Sequence, residues 1–205
     1  LKLIGGGVVG AARVDADGDG TLSDAEKSVP MVVNATRFFG DLRYDIFISE
    51  KDSFYALYGI FHDPFAGYDW RMHEQIGYSR HLVKTEKTQL IGEIGVDWAQ
   101  ENYIAGTDPN TDYMVIAARG MLSIKHKFND SVGFEETFEV YENVTDFEDL
   151  RIYNSASFTA ALGAKLALKL SHSLIFDNQP VPDFRKLDQT MQQLFLLTYL
   201  WLPDE

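Results

Sequence analysis

The chain has 205 residues, a size typical of one domain or of two small ones, and 45% of them are hydrophobic, enough for a sizeable core. Its 18 Lys plus Arg against 31 Asp plus Glu give a formal net charge of −13, which argues against nucleic acid and an anionic lipid surface as partners. The absence of cysteine excludes disulfides, thiolate metal sites and a cysteine nucleophile. No apolar run reaches the roughly 18 residues of a membrane helix. A soluble domain and a membrane β-barrel both remain compatible with this composition.

The N-terminal segment, residues 1–30, is rich in glycine before it becomes acidic. It begins at Leu1 rather than Met, so we expect any signal peptide to have been removed or left out. Residues 15–26 read DADGDGTLSDAE, a full match to the calcium-binding loop of an EF-hand. Three carboxylates, a backbone carbonyl, a water-bridged side chain and a bidentate glutamate would come, in that order, from Asp15, Asp17, Asp19, Thr21, Ser23 and Glu26.

The helices of an EF-hand are poorly represented around this loop. Pro30 follows Glu26 so closely that hardly any exiting helix is left, and the glycines before the loop make a poor entering helix. Because the helix pair is the part that opens in a calcium switch, we expect one structural Ca²⁺ that staples an outer loop. An empty acidic turn and a lapsed motif are the two alternatives.

Beyond residue 30 the apolar residues recur with a period of two. Between Phe38 and Ile48 the even positions are apolar, aromatic or glycine, whereas Asp41, Arg43 and Asp45 occupy odd positions. Such alternation indicates a strand with one apolar and one polar face. The same pattern recurs along residues 90–98, 114–128, 132–140, 150–158 and 166–174. Since no helical period is convincing anywhere, we predict an all-β chain.

The lengths of the strands and of their connections favour a membrane barrel. Most candidate strands run roughly 11–16 residues, against about 5 or 6 in soluble proteins and about 9–11 for a strand that crosses a bilayer. Tight links at 49–53, 84–87, 129–131 and 162–164 alternate with longer links at 63–70, 100–112, 142–149 and 177–186. Outer-membrane barrels sort their connections in this way, with the longer loops outside. We therefore predict an antiparallel up-and-down transmembrane β-barrel over residues 31–205, with the long loops on the outer side of a bacterial outer membrane.

The two faces of the predicted strands have opposite chemistry. In such a barrel the apolar face meets lipid, aromatic residues near the strand ends form interfacial girdles, and the polar face fills the lumen. The side chains expected to point inward, as a packed plug of ion pairs or as the lining of a narrow conduit, are Arg37, Asp41, Arg43, Asp45, Arg71, Gln75, Glu93, Asp97, Arg119, Lys125, Glu135, Glu139, Arg151, Lys165 and Lys169. Three charged residues fall on the apolar phase and would have to lie near a rim or beside a bulge, or else count against the barrel: Glu74, Arg80 and Glu136. Residues 54–61 are apolar on both faces, which alternation does not explain.

Residues that could form a catalytic site are scattered. The five histidines are scattered over several predicted strands without a motif around them: His62, His73, His81, His126 and His172. His172 lies between two serines, but neighbours on a strand point to opposite faces and cannot form a nucleophile–base pair. An Asp–His pair could form at a loop base, where His62 and Asp63 come near Asp69. Since no phosphate-binding loop or nucleophile motif is present, we expect no enzyme, with an outer-membrane hydrolase as the residual alternative.

Several spaced segments of this sequence resemble those of one bacterial family. They are RFFGDLRYD at 37–45, HDPFAGYD at 62–69, GEIGVD at 92–97, FDNQPVP at 176–182 and KLD at 186–188. The family is catalogued as domain of unknown function 481, its members are also described as salt-induced outer-membrane proteins, and the resemblance covers about residues 31–201. It implies an outer-membrane β-barrel of Gram-negative bacteria without a settled activity. Because members usually open with further alternating strands where this chain has residues 1–30, the resemblance implies about twelve strands where the pattern here gives about ten.

These observations lead to one expected function and two alternatives. We expect an integral outer-membrane β-barrel of about 10–12 strands with a structural, envelope or partner-docking role. Its expected partners are outer-membrane lipid, an envelope protein and one Ca²⁺, but no nucleic acid. The first alternative is a narrow pore for small solutes or ions through a charged lumen. The second is a soluble lipid-binding barrel, which would place apolar side chains inside and polar ones outside.

Overall fold

The computed structural model describes residues 1–12, 23, 28, 32–64, 67–104, 112–163, 165–180 and 184–197. The regular elements of this part of the chain are ten strands: β1 (Lys2–Ala12), β2 (Val32–Phe47), β3 (Asp52–Asp63), β4 (Tyr68–Lys84), β5 (Thr88–Tyr103), β6 (Asp112–Asn129), β7 (Val132–Asn143), β8 (Leu150–Ala161), β9 (Leu166–Asp177) and β10 (Leu187–Leu197). The same residues include no helix that is both long and apolar enough to cross a membrane.

The ten strands form one antiparallel sheet in which each strand pairs with its neighbours in sequence. This order confirms the predicted all-β, up-and-down fold. β1 lies in the N-terminal segment and pairs with β2 from Lys2 opposite Arg43 to Ala12 opposite Val32. The sheet curls into a half-barrel. The curl brings strands that are four apart into contact, as shown by the hydrogen bond that the Arg71 side chain on β4 donates to Tyr153 on β8.

The connections are sorted by length between the two ends of the sheet. Links 48–51, 85–87, 130–131 and 162–165 join strands at one end, called here the short-turn end. Links 13–31, 64–67, 104–111, 144–149 and 178–186 join strands at the other, called the long-link end. This sorting agrees with the prediction except at 63–70, which was expected to be a longer link. There the pairing of β3 and β4 extends so far that only residues 64–67 connect them.

The two faces of the sheet differ in chemistry as the alternation predicts. On the concave face Glu93, Asp97 and Glu101 of β5 are buried, with 5%, 1% and 1% of their surface exposed. On the convex face large apolar side chains are exposed, such as Ile76 at 67% and Ile94 at 68%. In the central strands, such as β4 to β6, the charged face is therefore inside and the apolar face outside. This is the reverse of the arrangement that the soluble lipid-binding barrel requires.

One register row shows how strongly the strands are inclined. Starting at Ile46 on β2, the successive cross-strand partners are Phe54, Tyr78, Ile94, Gly120, Val140, Ile152, Phe176 and Leu187. The row begins next to the short-turn end of β2 and arrives at the first residue of β10, at the long-link end. Relative to the short-turn ends of β2 and β10 the row shifts by roughly 9 residues, and relative to their long-link ends by roughly 14. At about 3.3 Å per residue, and over eight strand spacings of about 4.8 Å, this shift corresponds to a strand tilt of about 45°. Closed barrels need a tilt of about 35–45°, so the sheet has the inclination of a barrel wall.

The three charged residues on the apolar phase occupy different places. Arg80 lies near the short-turn end, where its guanidinium is 3.2 Å from a carboxylate oxygen of Asp52. Glu136 accepts a hydrogen bond of 3.0 Å from the side chain of Asn154. Glu74 is exposed at mid-length of β4, away from the irregular positions of the register, so neither a rim nor a bulge accounts for it.

Candidate functional site

The concave face gathers buried charged side chains into two clusters. The Arg119 cluster consists of Arg43, Tyr55, Glu93, Arg119, Glu139 and Tyr141. The Arg151 cluster consists of Arg71, Asp97, Glu101, Asp149, Arg151 and Asp177. The seven members predicted to point inward do so, which confirms that part of the prediction. The structure adds Glu101, Asp149 and Asp177 as acidic partners.

Arg119 on β6 is the centre of its cluster and joins three other strands. Its guanidinium lies 2.9 Å from Glu93 Oε2 on β5 and 2.8 Å from Glu139 Oε2 on β7. Nη1 donates a hydrogen bond of 2.8 Å to the Tyr55 hydroxyl on β3, and Nε donates one of 3.1 Å to the Tyr141 hydroxyl. Because Arg119 is buried, these carboxylates compensate a charge that water hardly reaches.

Glu93 connects Arg119 to a second arginine. Arg43 on β2 donates to both Glu93 oxygens, at 3.2 Å from Nη1 and 2.7 Å from Nη2, a bidentate geometry. Its Nη2 is also 2.8 Å from Asp45 Oδ1. The Arg43 guanidinium lies over the Tyr55 ring, 4.2 Å from its centroid. Side chains thus tie β2, β3, β5 and β6 together inside the curl.

Two glycines create the space that Tyr55 occupies. Its side chain crosses over Gly77 of β4 and Gly95 of β5 to reach Arg119 on β6. A Cβ atom at Gly77 would lie 2.6 Å from the Tyr55 hydroxyl oxygen, and one at Gly95 would lie 2.7 Å from it, so no other residue fits. Tyr55 accounts for one of the inward apolar positions in residues 54–61, since it buries a ring inside and offers its hydroxyl to Arg119.

Arg151 on β8 is the centre of the second cluster. It donates to both carboxylate oxygens of Glu101 on β5, with an Nη2–Oε2 distance of 3.2 Å. Its Nε lies 2.9 Å from Asp149 Oδ1 and 3.5 Å from Asp177 Oδ2. The Tyr103 hydroxyl donates a further hydrogen bond of 2.8 Å to Glu101. The Arg151 guanidinium therefore forms ion pairs with three carboxylates.

Arg71 on β4 brings a second positive charge to the Arg151 cluster. Its Nη1 donates a hydrogen bond of 3.1 Å to the Tyr153 hydroxyl, and its Nε lies 3.2 Å from Glu101 Oε1. Its Nη2 lies 3.7 Å from Asp97 Oδ2. With two arginines and four carboxylates, the cluster carries an excess of negative charge.

His73 on β4 stands between two carboxylates. Its Nδ1 is 3.1 Å from Asp97 Oδ1, and its Nε2 is 3.6 Å from Asp41 Oδ1 on β2. The contact with Asp41 passes over Gly59 of β3, where a Cβ atom would lie 2.6 Å from the Asp41 oxygen. No motif in the sequence marks this group, since only the sheet register brings its members together. The imidazole can hold a proton between the two acids, yet within the described residues no hydroxyl that could act as a nucleophile bonds to it.

The other histidines do not form a complete nucleophile–base–acid set within the described residues: His126 Nδ1 lies 2.8 Å from the Thr88 hydroxyl, but no carboxylate contacts its ring. His62 Nδ1 contacts the backbone carbonyl of Asp69 and is 3.8 Å from its carboxylate, so the Asp–His contact considered from the sequence is loose. The His62 ring packs beside Trp70, with 4.7 Å between centroids. His172 lies 3.4 Å from Gln189, on the opposite face from its two serine neighbours, as the strand alternation predicts.

A cavity of about 680 Å³ lies at the long-link end of the concave face. Arg71 and Tyr141 of the two clusters line one side together with His73, and Ser173 on β9 and Thr190 on β10 line the other. The cavity therefore lies between the charged side chains of β4 and the hydroxyls of β9 and β10, and Asp177 of the Arg151 cluster is also part of its lining.

The predicted calcium ligands lie almost entirely outside the described residues. This applies to Asp15, Asp17, Asp19, Thr21 and Glu26, whereas Ser23 is described and exposed. In the part of the chain that the structure describes, no group of three or more His, Asp or Glu side chains is arranged to hold a metal ion. The calcium site at 15–26 therefore stays a prediction.

Comparison with known proteins places the chain in a family. The model of the family described as "Protein of unknown function, DUF481" matches residues 9–201, so the chain belongs to this family. The match begins within β1, earlier than the resemblance that starts at about residue 31, and it includes the predicted calcium loop. No curated protein matches the chain.

Proposed function

We propose that this DUF481 member is an integral β-barrel protein of the bacterial outer membrane, with a structural or partner-docking role in the envelope. The observation that carries the proposal is the convex face of the sheet, which exposes a continuous apolar surface. Its exposed members include Leu42, Ile60, Ile76, Ile94, Val96 and Leu122. Soluble monomers rarely expose apolar patches of this extent, whereas lipid hydrocarbon is a favourable surrounding for them. Outer-membrane lipid is accordingly the immediate partner.

Aromatic side chains border the apolar surface at two levels. At the long-link end the His62 ring lies between Phe38 and Trp70, with centroid distances of 6.2 and 4.7 Å. Toward the short-turn end Phe54 packs on Tyr78 at 5.8 Å. Trp70 and Tyr78 are eight residues apart on β4, which is about 26 Å along the strand and about 19 Å along the axis of a barrel tilted by 45°. This height is about 6 Å less than the apolar band of outer-membrane barrels, which is about 25 Å tall, so both aromatic levels lie within the span of such a band.

The sorted connections support one orientation in the membrane. Outer-membrane barrels keep short turns on the periplasmic side and longer loops outside. The short-turn end, where β1 begins and β10 ends, would then face the periplasm. The predicted calcium loop lies in link 13–31, at the long-link end, and would be on the outer side.

The buried clusters support a structural role for the interior. Each cluster joins strands that are not neighbours, and a barrel of this size has a lumen filled by side chains. A second candidate, a narrow pore, is favoured by the cavity of about 680 Å³ beside the clusters. Conductance across a planar bilayer separates the two: a plugged barrel passes no ohmic current, and a steady current from the purified chain assigns the pore.

Glu74 provides a sharp test of the lipid-facing surface, because it is exposed halfway between the two aromatic levels on β4. A carboxylate facing hydrocarbon is unfavourable, so Glu74→Leu should raise the free energy of unfolding from phosphatidylcholine vesicles by about 1–2 kcal/mol. Ile94→Glu should lower it by a similar amount. The matched control is Lys87→Leu in link 85–87, outside the apolar surface, for which we expect no change.

The opposite results would contradict the membrane proposal. If the convex face were in contact with water, Glu74→Leu would not raise the free energy of unfolding and Ile94→Glu would not lower it. A chain that leaves lysed cells in detergent-free buffer, instead of with the membrane fraction, would also contradict it.

A further inference from the structure

The concave face has a second region, separate from both clusters, on the short-turn side of β6 to β10. Five hydroxyl side chains occupy a single register row across these five strands: Ser123, Thr137, Ser155, Ser173 and Thr190. The next concave row toward the short-turn end contains Ser157 and Ser171, and the row after it contains Thr159. These three rows, which begin on β6 at residues 123, 125 and 127, are called here the hydroxyl wall.

Three lysines lie in the two outer rows of the hydroxyl wall. Lys125 is 3.1 Å from Glu135, so its charge is paired. Lys127 and Lys169 share one row, and within the described residues neither has a carboxylate partner. Three lysines and one glutamate give the wall a net charge of +2, in a chain whose total is −13. The wall is therefore a local basic surface in an acidic protein.

The hydroxyls of the wall are largely available to a ligand. Ser123 and Thr137 lie 3.0 Å apart and bond to each other. Within the described residues, the hydroxyls of Ser155, Ser171 and Ser173 make no hydrogen bond to the protein. Each of them can donate one hydrogen bond to an acceptor that enters from solvent.

The spacing of the two unpaired lysines leaves room for a small ligand. Lys127 and Lys169 are three strand spacings apart, which is about 14 Å between their backbones. Between them in the row lie Gly133, which has no side chain, and Thr159, which offers a hydroxyl. A Cβ atom at Gly133 would meet only the His126 carbonyl oxygen, at 3.6 Å, so the floor of this gap is open. Two lysine side chains can reach into it from opposite sides.

We propose that the hydroxyl wall binds small oxyanions of the phosphate class between Lys127 and Lys169. The two ammonium groups supply the charge, and Thr159 with the neighbouring serines donates hydrogen bonds to the oxygens. Charge-assisted hydrogen bonds of this kind are how lysine recognises phosphate groups. The site depends on the concave face of the sheet and not on the lipid-facing surface, so it goes beyond the proposed membrane role.

Titration calorimetry with inorganic phosphate tests the site on the full chain in a zwitterionic detergent, with ionic strength held constant by sodium chloride. The wild type should give a saturable heat. Lys169→Gln and Lys127→Gln should each weaken phosphate binding about fivefold, as expected for one unit charge close to an ion in water. Lys51→Gln, an exposed lysine in a short turn outside the wall, is the matched control and should bind like the wild type. Tryptophan fluorescence verifies that each variant is folded.

Hydrogen-bond recognition is tested by Ser171→Ala, which should weaken the binding of phosphate more than the binding of chloride, because the phosphate oxygens accept several directed hydrogen bonds. Absence of a saturable heat in the wild type overturns the proposal, as does an equal loss in Lys51→Gln. Equal competition by chloride shows attraction by charge alone and overturns the assignment to oxyanions. Micelles doped with phosphatidylglycerol distinguish the source: binding of the lipid without binding of free phosphate overturns the assignment to a small solute.

Discussion

Replacement of Arg151 by methionine tests whether buried ion pairs hold the curled sheet together. The arginine compensates Glu101 and contacts Asp149 and Asp177. Without it, Arg71 is the remaining positive charge of the cluster, and its Nε lies 3.2 Å from Glu101. Methionine keeps a long side chain in the same place, so the change removes the charge and its hydrogen bonds more than the packing.

The magnitude follows from the burial of the partners. Removal of one member of a buried ion pair costs about 3–5 kcal/mol, because it leaves an uncompensated charge. The three carboxylates around Arg151 have side-chain exposures of 0%, 6% and 14%, so we expect the upper end, about 5 kcal/mol. Arg119→Met should cost less, about 3 kcal/mol, since Glu93 keeps Arg43 and the Glu139 side chain is 26% exposed and can rehydrate.

Guanidinium unfolding followed by tryptophan fluorescence measures these free energies. The matched control is Arg80→Met at the short-turn end, where the guanidinium is open to solvent and we expect no measurable loss. The double variant Arg151→Met, Glu101→Gln removes both charges and should recover part of the loss. If Arg151→Met unfolds within about 1 kcal/mol of the wild type, the pair is worth no more than a surface ion pair and the reasoning is refuted.

Three further changes have defined outcomes. Gly95→Ala places a methyl group 2.7 Å from the Tyr55 hydroxyl oxygen and should destabilise the chain by about 1–3 kcal/mol in the same unfolding assay, whereas Gly163→Ala, with no atom within 4 Å, should be silent. Tyr55→Phe removes one hydrogen bond to the charged Arg119 and should cost about 1.5–3 kcal/mol by the same measurement; a smaller loss than at an exposed tyrosine would contradict this assignment. Calcium titration by calorimetry should show binding by the wild type and none by Asp15→Ala, and equal heats from both would show that the acidic loop is empty.

Alternation was sufficient to predict the fold, because in the central strands, such as β4 to β6, one face carries buried side chains that a one-residue slip would expose. The run from Phe38 to Ile48 illustrates this, since its apolar positions are the exposed ones in β2 and Arg43 points inward. Periodicity alone could not decide which face was enclosed. The burial of Glu101 decides it, because its carboxylate meets Arg151 across the curl.

The candidate site was less predictable, because its contacts join strands that are far apart in sequence. Tyr55 and Arg119 are separated by 64 positions, and their contact depends on two glycines. The alternation of apolar and polar residues does not reveal that these two positions must lack a side chain. The contacts of His73 could not be predicted for the same reason, since its partners lie on β2 and β5. The hydroxyl wall was missed for another reason: isolated serines and threonines carry no signal until the register places Ser123 and Ser155 in one row.

The concave face has one part filled by ion pairs and another part, along its last strands, that is lined by hydroxyl groups and open to solvent. The ion pairs connect strands from β2 to β9 around Arg119 and Arg151, where they fill the space inside the curl. No cross-strand ion pair involves the described residues of β10, so that strand is held by its backbone pairing with β9 and by uncharged contacts such as that of His172 with Gln189. Ser173 and Thr190 belong both to the hydroxyl wall and to the lining of the large cavity, so the wall and the cavity adjoin along β9 and β10. If the chain conducts ions, the path therefore runs along these strands, and Ser173→Leu should reduce the current, whereas Arg119→Met should leave its route unchanged.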